Sequence, residues 1–261
     1  MEIKIKIINQ LSDNYTYVIY NSKDKIALVV DPAESKPIIE YLQKNNLLLV
    51  GILITHHHSD HTSGIKDLLK INNVDVFTPN PKIYGTTKIV KNNDIVDLKF
   101  ISLKTISTPG HTLDHVVYYS KKEKLLFSGD TLFYYGCGRI FEGTMKVMLN
   151  SLNEIIKLPN DTKVYCGHEY TYKNLEFIIE ELLAWQDSDQ IKLKFKEMIK
   201  KNGSSMPFYL GHQKDWNPFL NCENYNFKEE VANFHKNIGK ISKDSSALDF
   251  FTFIRNKRNE F

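Results

Sequence analysis

The stretch Gly51-Ile-Leu-Ile-Thr-His-His-His-Ser-Asp-His61 joins an apolar run to side chains that can bind a metal. The apolar part is typical of a buried strand. Residues two apart on an extended chain point to the same side, so His56 and His58 can converge on one cation. Asp60 and His61 follow where we expect a turn into a short helix, and they can face a second cation. The stretch therefore predicts a metal centre at the end of a buried strand.

Three further candidate ligands stand at the ends of other predicted strands. They are His111 in Thr108-Pro-Gly-His-Thr112, Asp130 in Phe127-Ser-Gly-Asp-Thr131, and His168 in Cys166-Gly-His-Glu-Tyr170. Each follows a strand-like run and a glycine, which lets the backbone approach a centre closely. Imidazole and carboxylate ligands without thiolate suit zinc, manganese or iron.

The ordinary explanation of each histidine has to be weighed against this prediction. A single histidine is usually a surface residue or a satisfied core residue, and a histidine-rich turn can chelate metal by accident. Here four of the candidate ligands fall within positions 56–61, and three more lie in separate turns framed by glycine. The joint pattern favours a metal site.

Strand-like runs dominate the first two thirds of the chain, with helical spacing at 38–45. We predict strands at 3–8, 15–20, 26–30, 48–55, 74–78, 100–107, 116–120, 125–128 and 163–166. Several of these runs are apolar on both faces. A sheet covered by helices, an α/β layer architecture, accounts for this pattern.

The pattern changes near residue 170, where helical spacing takes over. We predict helices at 174–186, 191–199, 227–238 and 246–258, the second ended by Lys201-Asn202-Gly203. We therefore expect a metal-binding catalytic domain over residues 1–170 and an α-helical domain over residues 171–261.

Length, charge and cysteine content exclude several classes of protein. The chain has 261 residues with 34 basic and 31 acidic side chains, a net charge of +3, which disfavours a nucleic-acid-binding surface. No apolar run approaches the ~18 residues of a membrane span, and the alternating start lacks the apolar region of a signal peptide. Three widely spaced cysteines disfavour a disulfide framework. We expect a cytoplasmic monomer or weak homo-oligomer with no nucleic-acid or membrane partner.

Several motifs carry a resemblance to a known family. Thr55-His-His-His-Ser-Asp-His61 resembles the T-H-x-H-x-D-H signature of the metallo-β-lactamase superfamily. Other segments resemble the glyoxalase II, or hydroxyacylglutathione hydrolase, family within it, and the resemblance spans nearly the whole chain. These segments are Leu11-Ser-Asp-Asn-Tyr15, Pro109-Gly-His-Thr112, Ser128-Gly-Asp-Thr-Leu-Phe133, Gly136-Cys-Gly-Arg139, Phe141-Glu-Gly143, Cys166-Gly-His-Glu-Tyr-Thr171 and Asn217-Pro-Phe219.

The resemblance implies an αββα sandwich of two mixed sheets between helices, followed by an α-helical domain over residues 171–261 that binds the glutathione substrate. It also implies two divalent metal ions per chain, zinc first, with iron or manganese as alternatives. One metal would be held by His56, His58 and His111, the other by Asp60, His61 and His168, with Asp130 bridging them. Each position carries the family's residue.

The implied activity is hydrolysis of the thioester of S-(2-hydroxyacyl)glutathione, typically S-D-lactoylglutathione, to D-lactate and glutathione. This reaction is the second step of methylglyoxal detoxification. Two metals about 3.5–4 Å apart lower the pKa of a shared water enough to give hydroxide, the nucleophile, near neutral pH. Asp60 and Asp130 are then catalytic through the metals, and Asp60 could also take up a proton. The thiolate is a good leaving group, so a general acid is not required.

The family's glutathione-binding residues correspond to Arg139, Tyr170, Arg255 and Arg258. The last two are three apart on a predicted helix and can face one way, and arginine matches a carboxylate bidentately. Lys257 has a less favourable register. Phe141 stands where the family often has Tyr, so only the backbone can contribute a hydrogen bond there.

Other activities of the superfamily remain as alternatives. A single-iron oxidoreductase resembling the persulfide dioxygenases is the first, although we expect those to lack the extended helical domain. A phosphodiesterase would need a broad basic surface, which is not visible. A non-catalytic scaffold would tolerate the loss of a ligand, and none is lost. A β-lactamase is disfavoured by the C-terminal region.

The remaining histidines and two cysteines near the motifs match no ligand position. A nucleophilic cysteine needs a histidine free to act as base, and the nearby histidines are assigned to metal, so Cys137 and Cys166 are predicted to be structural. His57 and His115 are predicted to have orienting or surface roles. His212 and His235 receive no role.

Overall fold

Two six-stranded sheets carry the first two thirds of the chain in the computed structural model, which describes residues 3–183, 185, 187–234 and 241–261. The first sheet contains, in spatial order, β1 (Ile3–Gln10), β2 (Asn14–Asn21), β3 (Ile26–Val30), β4 (Leu48–Leu53), β5 (Asp75–Thr78) and β6 (Lys88–Ile89). Strands β1 to β3 pair antiparallel and β3 to β6 pair parallel, so the sheet is mixed.

The second sheet is also mixed. Its spatial order is β14 (Phe208–Tyr209), β13 (Lys163–Cys166), β10 (Leu125–Gly129), β9 (Val116–Ser120), β8 (Ile101–Ser107) and β7 (Ile95–Leu98). Only β10 and β13 run parallel; the other neighbours are antiparallel. A separate two-stranded hairpin joins β11 (Leu132–Phe133) to β12 (Gly136–Cys137).

Strand β3 shows why the first sheet must be covered on both faces. Leu28 and Val30 belong to the large core shared with the second sheet, whereas Ala27 and Val29 belong to a smaller core with Ile38. Because successive side chains of a strand point to opposite faces, one strand supplies two cores. The predicted αββα sandwich with a helical C-terminal region is confirmed.

Helices cover the sheets and form most of the C-terminal region. Those of the first two thirds are α1 (Lys36–Lys44), α2 (Ser59–Thr62), α3 (Ile65–Ile71) and α4 (Met145–Ile156). Those that follow are α5 (Thr171–Phe177), continued by a π turn at Ile178–Leu182, then α6 (Ser188–Asn202), α7 (Leu210–Trp216), α8 (Tyr225–Phe234) and α9 (Ala247–Glu260).

The predicted helices are present with shifted ends. The helix expected at 174–186 begins at Thr171 and ends as a π turn at Leu182, and the one expected at 227–238 spans Tyr225–Phe234; its last expected positions lie outside the described residues. The helix expected at 191–199 spans Ser188–Asn202 and ends at the predicted stop signal, because Gly203 adopts a left-handed conformation with φ of 72°. Helix α4, with Thr144 capping the Val147 amide, was not predicted.

The C-terminal region does not form a separate layer. Its strand β14 pairs with β13, and its last helix α9 contacts α4. The boundary near residue 170 stays a prediction. Within the described ranges, no helix is both long and apolar enough to cross a bilayer.

Candidate metal centre and its cleft

The candidate ligands gather at one edge of the sandwich, where strands of both sheets end. His56 and His58 follow β4, and Asp60 and His61 lie on α2 directly after it. Three others follow strands of the second sheet, namely His111 after β8, Asp130 after β10 and His168 after β13. Strands that end at the same edge bring these residues, which are distant in sequence, together.

The ligand atoms form three overlapping groups, within each of which they lie no more than 4.8 Å apart. The groups are His56 with His58 and His111, Asp60 with His61 and His168, and His56 with His61 and Asp130. The first two match the two predicted ligand sets. The third places Asp130 between them.

The Asp130 carboxylate faces both sets. Its Oδ2 lies 3.3 Å from His111 Nε2 and 3.2 Å from His168 Nε2, and its Oδ1 lies 3.6 Å from His61 Nε2. A carboxylate in this position can bridge two cations.

Hydrogen bonding inside the cluster is incomplete. His56 Nε2, His61 Nε2 and Asp130 Oδ1 are buried without a hydrogen-bond partner. Buried polar atoms in folded proteins are nearly always satisfied. Three unsatisfied atoms that face one another therefore fit a bound cation, and imidazole and carboxylate donors without thiolate suit zinc, iron or manganese.

In four of the candidate ligand histidines, the Nδ1 atom has a hydrogen-bond partner within the protein. Such partners set the tautomer and turn the opposite nitrogen toward a metal. The pairs are His56 Nδ1 with Thr55 Oγ1 at 3.0 Å, His61 Nδ1 with Asp31 Oδ2 at 3.0 Å, His111 Nδ1 with the Arg139 carbonyl at 2.8 Å, and His168 Nδ1 with Asp13 Oδ1 at 2.8 Å.

His115 supports the cluster without joining it. Its Nε2 accepts a hydrogen bond from the Asp130 amide at 3.0 Å, so the ring is neutral and donates from Nδ1 toward Thr108 Oγ1 at 2.9 Å. Burial lowers the pKa of His115 to about 3, in keeping with that neutral form. The orienting role predicted for this residue agrees with these contacts.

Two glycines allow the close approach. Gly129 has a φ of 47°, and a Cβ there would lie 2.6 Å from Thr55 Oγ1 and 2.7 Å from His115 Nε2. A Cβ on Gly167 would collide with the Asp130 carboxylate. Both positions therefore require glycine.

The carboxylates make this pocket favourable for positive charge. Burial by itself lowers the pKa of His168, but Asp130 and Asp60 outweigh it and raise that pKa to about 12. Burial likewise opposes protonation of His61, and Asp130 with Asp31 raise its pKa to about 10. The pKa of His56 falls well below its usual value because of burial and the neighbouring His61. Cationic charge is thus stabilised on the side of the cluster that Asp130 and Asp60 face.

A cleft of about 450 Å³ opens from the cluster toward the helical region. Its walls include candidate ligands and all five predicted substrate-binding residues. The latter are Arg139, Phe141, Tyr170, Arg255 and Arg258.

These five residues differ in exposure and partners. The Tyr170 ring stacks on His168 with 4.9 Å between centroids, and Phe141, which is 60% exposed, meets His58 and His111 edge-on at 5.7 and 5.2 Å. The Arg139 side chain is exposed and makes long contacts of 3.4 Å with Asn259.

The two arginines of α9, Arg255 and Arg258, make hydrogen bonds with other residues of the protein. Arg258 Nε donates to Asn174 Oδ1 at 3.2 Å. Arg255 is 5% exposed, donates to the Cys137 carbonyl at 2.9 Å, and has a buried Nε without a partner.

Other side chains considered from the sequence lie outside the cluster. His57 pairs with Asp114 at 3.0 Å, and Lys257 pairs with Glu181 at 3.0 Å rather than lining the cleft. Burial raises the pKa of the thiols of Cys137 and Cys166, which disfavours thiolate chemistry and agrees with structural roles. His212 lies beside a different cavity, and His235 lies outside the described residues.

Sequence reasoning missed the residues that hold the ligands in place. Asp31 accepts from the Thr55 amide at 2.8 Å and from its hydroxyl at 2.7 Å, in addition to its contact with His61. Asn14 donates to Asp60 Oδ2 at 2.9 Å. An Asp at a strand end, as in Asp31-Pro32, and the motif Leu11-Ser-Asp-Asn-Tyr15 were the available signals.

Comparison with known families agrees with this geometry. The model of the metallo-beta-lactamase superfamily matches residues 11–168, and the model of the hydroxyacylglutathione hydrolase C-terminus matches residues 169–261. A hydroxyacylglutathione hydrolase of Pseudoalteromonas translucida (strain TAC 125) is 38% identical, over 99% of this chain and 100% of the relative. Another, of Pelagibacter ubique (strain HTCC1062), is 41% identical over 84% of this chain and 92% of the relative.

Among solved structures, ETHE1 from Myxococcus xanthus is similar, with a TM-score of 0.67 and 21% identity, over 97% of this chain and 90% of that one. Likeness at this identity shows the fold alone. The model matched by residues 169–261 is that of the hydroxyacylglutathione hydrolase C-terminus, which favours this activity over the oxidoreductase alternative. The chain belongs to the metallo-β-lactamase superfamily and, within it, to the hydroxyacylglutathione hydrolases.

Proposed function

We propose that this protein hydrolyses the thioester of S-(2-hydroxyacyl)glutathione, typically S-D-lactoylglutathione, to a 2-hydroxy acid and glutathione. One observation carries the proposal: a cluster of histidine and aspartate ligand atoms borders a cleft that also holds three arginines and a tyrosine. Membership of the hydroxyacylglutathione hydrolase family supports the same reaction.

The site is suited to two divalent ions, with zinc as the first choice and iron or manganese as alternatives. His56, His58 and His111 would hold one ion, Asp60, His61 and His168 would hold the other, and Asp130 would lie between both. When bound, such ions polarise a carbonyl and supply a nucleophilic water at neutral pH. The unsatisfied buried atoms of the cluster support this assignment.

Residues behind the cluster keep the ligands oriented for reaction. Asn14 donates to Asp60 Oδ2, and Asp13 accepts from His168 Nδ1, so both ligand atoms are presented to the cleft. Fixed ligands require little reorganisation during reaction, which is the condition for electrostatic stabilisation of developing charge. No general acid is needed, because the leaving group is a thiolate.

The cleft residues match the charges of glutathione, which has two carboxylates and one ammonium group. With its Nε engaged by Asn174, Arg258 offers its two terminal nitrogens to a carboxylate. Arg255 also lines the cleft, where its buried guanidinium, held by the Cys137 carbonyl, adds positive charge. Tyr170 and Arg139 supply a hydroxyl and an exposed guanidinium on the same walls, and Phe141 offers only an apolar ring.

The biological setting is proposed on the same basis. The reaction is the second step of methylglyoxal detoxification and takes place in the cytoplasm. Buried free thiols at Cys137, Cys166 and Cys222 suit a reducing compartment. The partner is a small molecule rather than a nucleic acid or a membrane, and the protein acts as a monomer or weak homo-oligomer.

The test is the loss of thioester absorbance of S-D-lactoylglutathione with purified protein, beside a chelator-stripped sample and a metal count. We expect rapid, chelator-sensitive hydrolysis with about two metals per chain. A fully metallated protein that leaves the thioester intact would contradict the proposal. Oxygen uptake with glutathione persulfide would then identify a dioxygenase instead.

A further inference from the structure

A second cavity, of about 550 Å³, lies beside α6 and α7 and has no part in the proposed hydrolysis. Aromatic rings form most of its walls. They are Tyr134, Tyr135, Trp185, Phe195 and Trp216. A concave, mainly apolar site of this volume is typical of small-molecule pockets.

The rings support one another at fixed angles. Tyr134 and Tyr135 stack with 4.6 Å between centroids, and Phe195 meets both edge-on at 5.2 and 5.6 Å. Trp185 and Trp216 are perpendicular with 5.3 Å between centroids. Walls of this kind offer both faces and edges to a flat ring, so a planar aromatic ligand is complementary to them.

The charged residues in the cavity lining determine whether an anionic or a cationic ligand is favoured. Lys194 lines the cavity, is exposed, and makes no ion pair with another described residue. No carboxylate belongs to the described lining; Asp215 acts electrostatically on His212 but does not line the cavity. An aromatic cage by itself attracts cations, but a lysine at its opening repels them. An anion is therefore favoured.

This cavity is distinct from the metal cleft. The β11–β12 hairpin lies between the two: Phe133 and Cys137 line the cleft, whereas Tyr134 and Tyr135, at the hairpin turn, line the cavity. We propose that the cavity is a separate binding site for a planar aromatic carboxylate, with its ring among the tryptophans and tyrosines and its carboxylate at Lys194. The site does not depend on the proposed thioesterase reaction.

The test is titration of the full-length, metal-loaded protein with 2-naphthoate by calorimetry. Two matched ligands separate the contributions, since 2-naphthamide keeps the ring without the charge and cyclohexanecarboxylate keeps the charge without the aromatic ring. Both tryptophans of the sequence line the cavity, so tryptophan emission reports its occupancy. We expect 2-naphthoate to bind more tightly than either matched ligand and to quench that emission.

Variants locate the bound ligand. Trp216→Ala should weaken naphthoate binding about tenfold by removing one wall, and Lys194→Glu should weaken it about tenfold by reversing the charge. Both side chains are exposed, and Lys196→Glu, an exposed residue of the same helix outside the lining, is the matched control. Naphthoate binding that is absent, that equals binding of both matched ligands, or that is unaffected by Lys194→Glu would overturn the proposal. Loss of binding in Arg258→Ala would also overturn it, because the anion would then lie in the metal cleft.

Discussion

Asp130 is the residue on which the geometry of the proposed centre depends most directly. Its carboxylate faces His111 and His168 at 3.3 and 3.2 Å, and its amide is held by His115. Gly129 and Gly167 leave space that any side chain would fill. A single carboxylate thus faces two sets of candidate ligands, each of which combines residues that follow strands of both sheets.

Asp130→Asn should lose metal and activity together, because an amide is a weaker and uncharged bridge between two cations. We expect activity to fall by about 100-fold or more, with metal content measured by elemental analysis on the same sample. Asp161→Asn, an exposed surface residue paired with Lys124, is the control and should retain both. Two tightly bound metals in Asp130→Asn would remove Asp130 as a bridge.

Arg258→Ala should weaken binding of the glutathione moiety with little effect on the chemical step. We expect KM for glutathione thioesters to rise about tenfold while kcat stays nearly constant, the sign of lost ground-state binding. Lys257→Ala is a matched control, since that neighbouring lysine pairs with Glu181 and does not line the cleft. An unchanged KM in Arg258→Ala would return the residue to a purely structural role with Asn174.

At the level of elements, the candidate ligands follow the ends of strands, and side chains from neighbouring loops fix their orientation by hydrogen bonds. Strand β4 leads to His56, and β3 is followed by Asp31, which has a φ of 50°. The Asp31 carboxylate joins the two ends by accepting from Thr55 and contacting His61. The parallel pairing of β3 with β4 places both ends side by side.

Asp31→Asn should therefore affect both the fold and the metal site. An amide in its place leaves a donor facing the Thr55 amide, so we expect a loss of about 2–3 kcal/mol in the free energy of unfolding. Metal affinity should fall about 10–100-fold, since the support of His61 is altered. Urea denaturation of the metal-free protein and metal titration measure the two effects separately. Asp24→Asn, in the exposed turn between β2 and β3, should change neither.

For the whole molecule, one large core connects the sandwich to the helical region. It contains Leu126 and Val164 of the second sheet together with Phe250 and Ile254 of α9. The cleft lies where these parts meet, with candidate ligands on one wall and α9 arginines on the other. The same packed interior thus positions the proposed metal site and the proposed glutathione site.

Removal of metal should lower the stability of the folded protein without unfolding it at room temperature. Metal that binds only the folded state raises the melting temperature, so stripping with a chelator should lower Tm by about 5 °C or more. Thermal denaturation followed by circular dichroism, before and after zinc is restored, measures this difference. Recovery of Tm and of hydrolysis should coincide, whereas Tm of Asp130→Asn should respond weakly to zinc. A Tm indifferent to chelator would contradict a tightly held centre.

The residue pattern by itself predicted a sheet covered by helices, a helical C-terminal region and a metal centre after a buried strand, because local periodicity shows where strands and helices end. The resemblance to the metallo-β-lactamase superfamily added the sandwich of two sheets and the two ligand sets. The strands that precede the candidate ligands belong to both sheets, so the meeting of those ligands depends on how the sheets pack. Short elements were not predicted from the sequence. One of them is the two-residue strand β14, which is defined by its pairing with β13.

Only the tertiary structure revealed what depends on contacts between distant positions. Local motifs mark Asp31 and Asp13, but not that Asp31 supports His61 and Asp13 supports His168. The pairing of Lys257 with Glu181 and the aromatic cavity at the β11–β12 turn have no local signature. Each arises from side chains that become neighbours after the core has packed, so local periodicity, which reports only near neighbours, leaves them open.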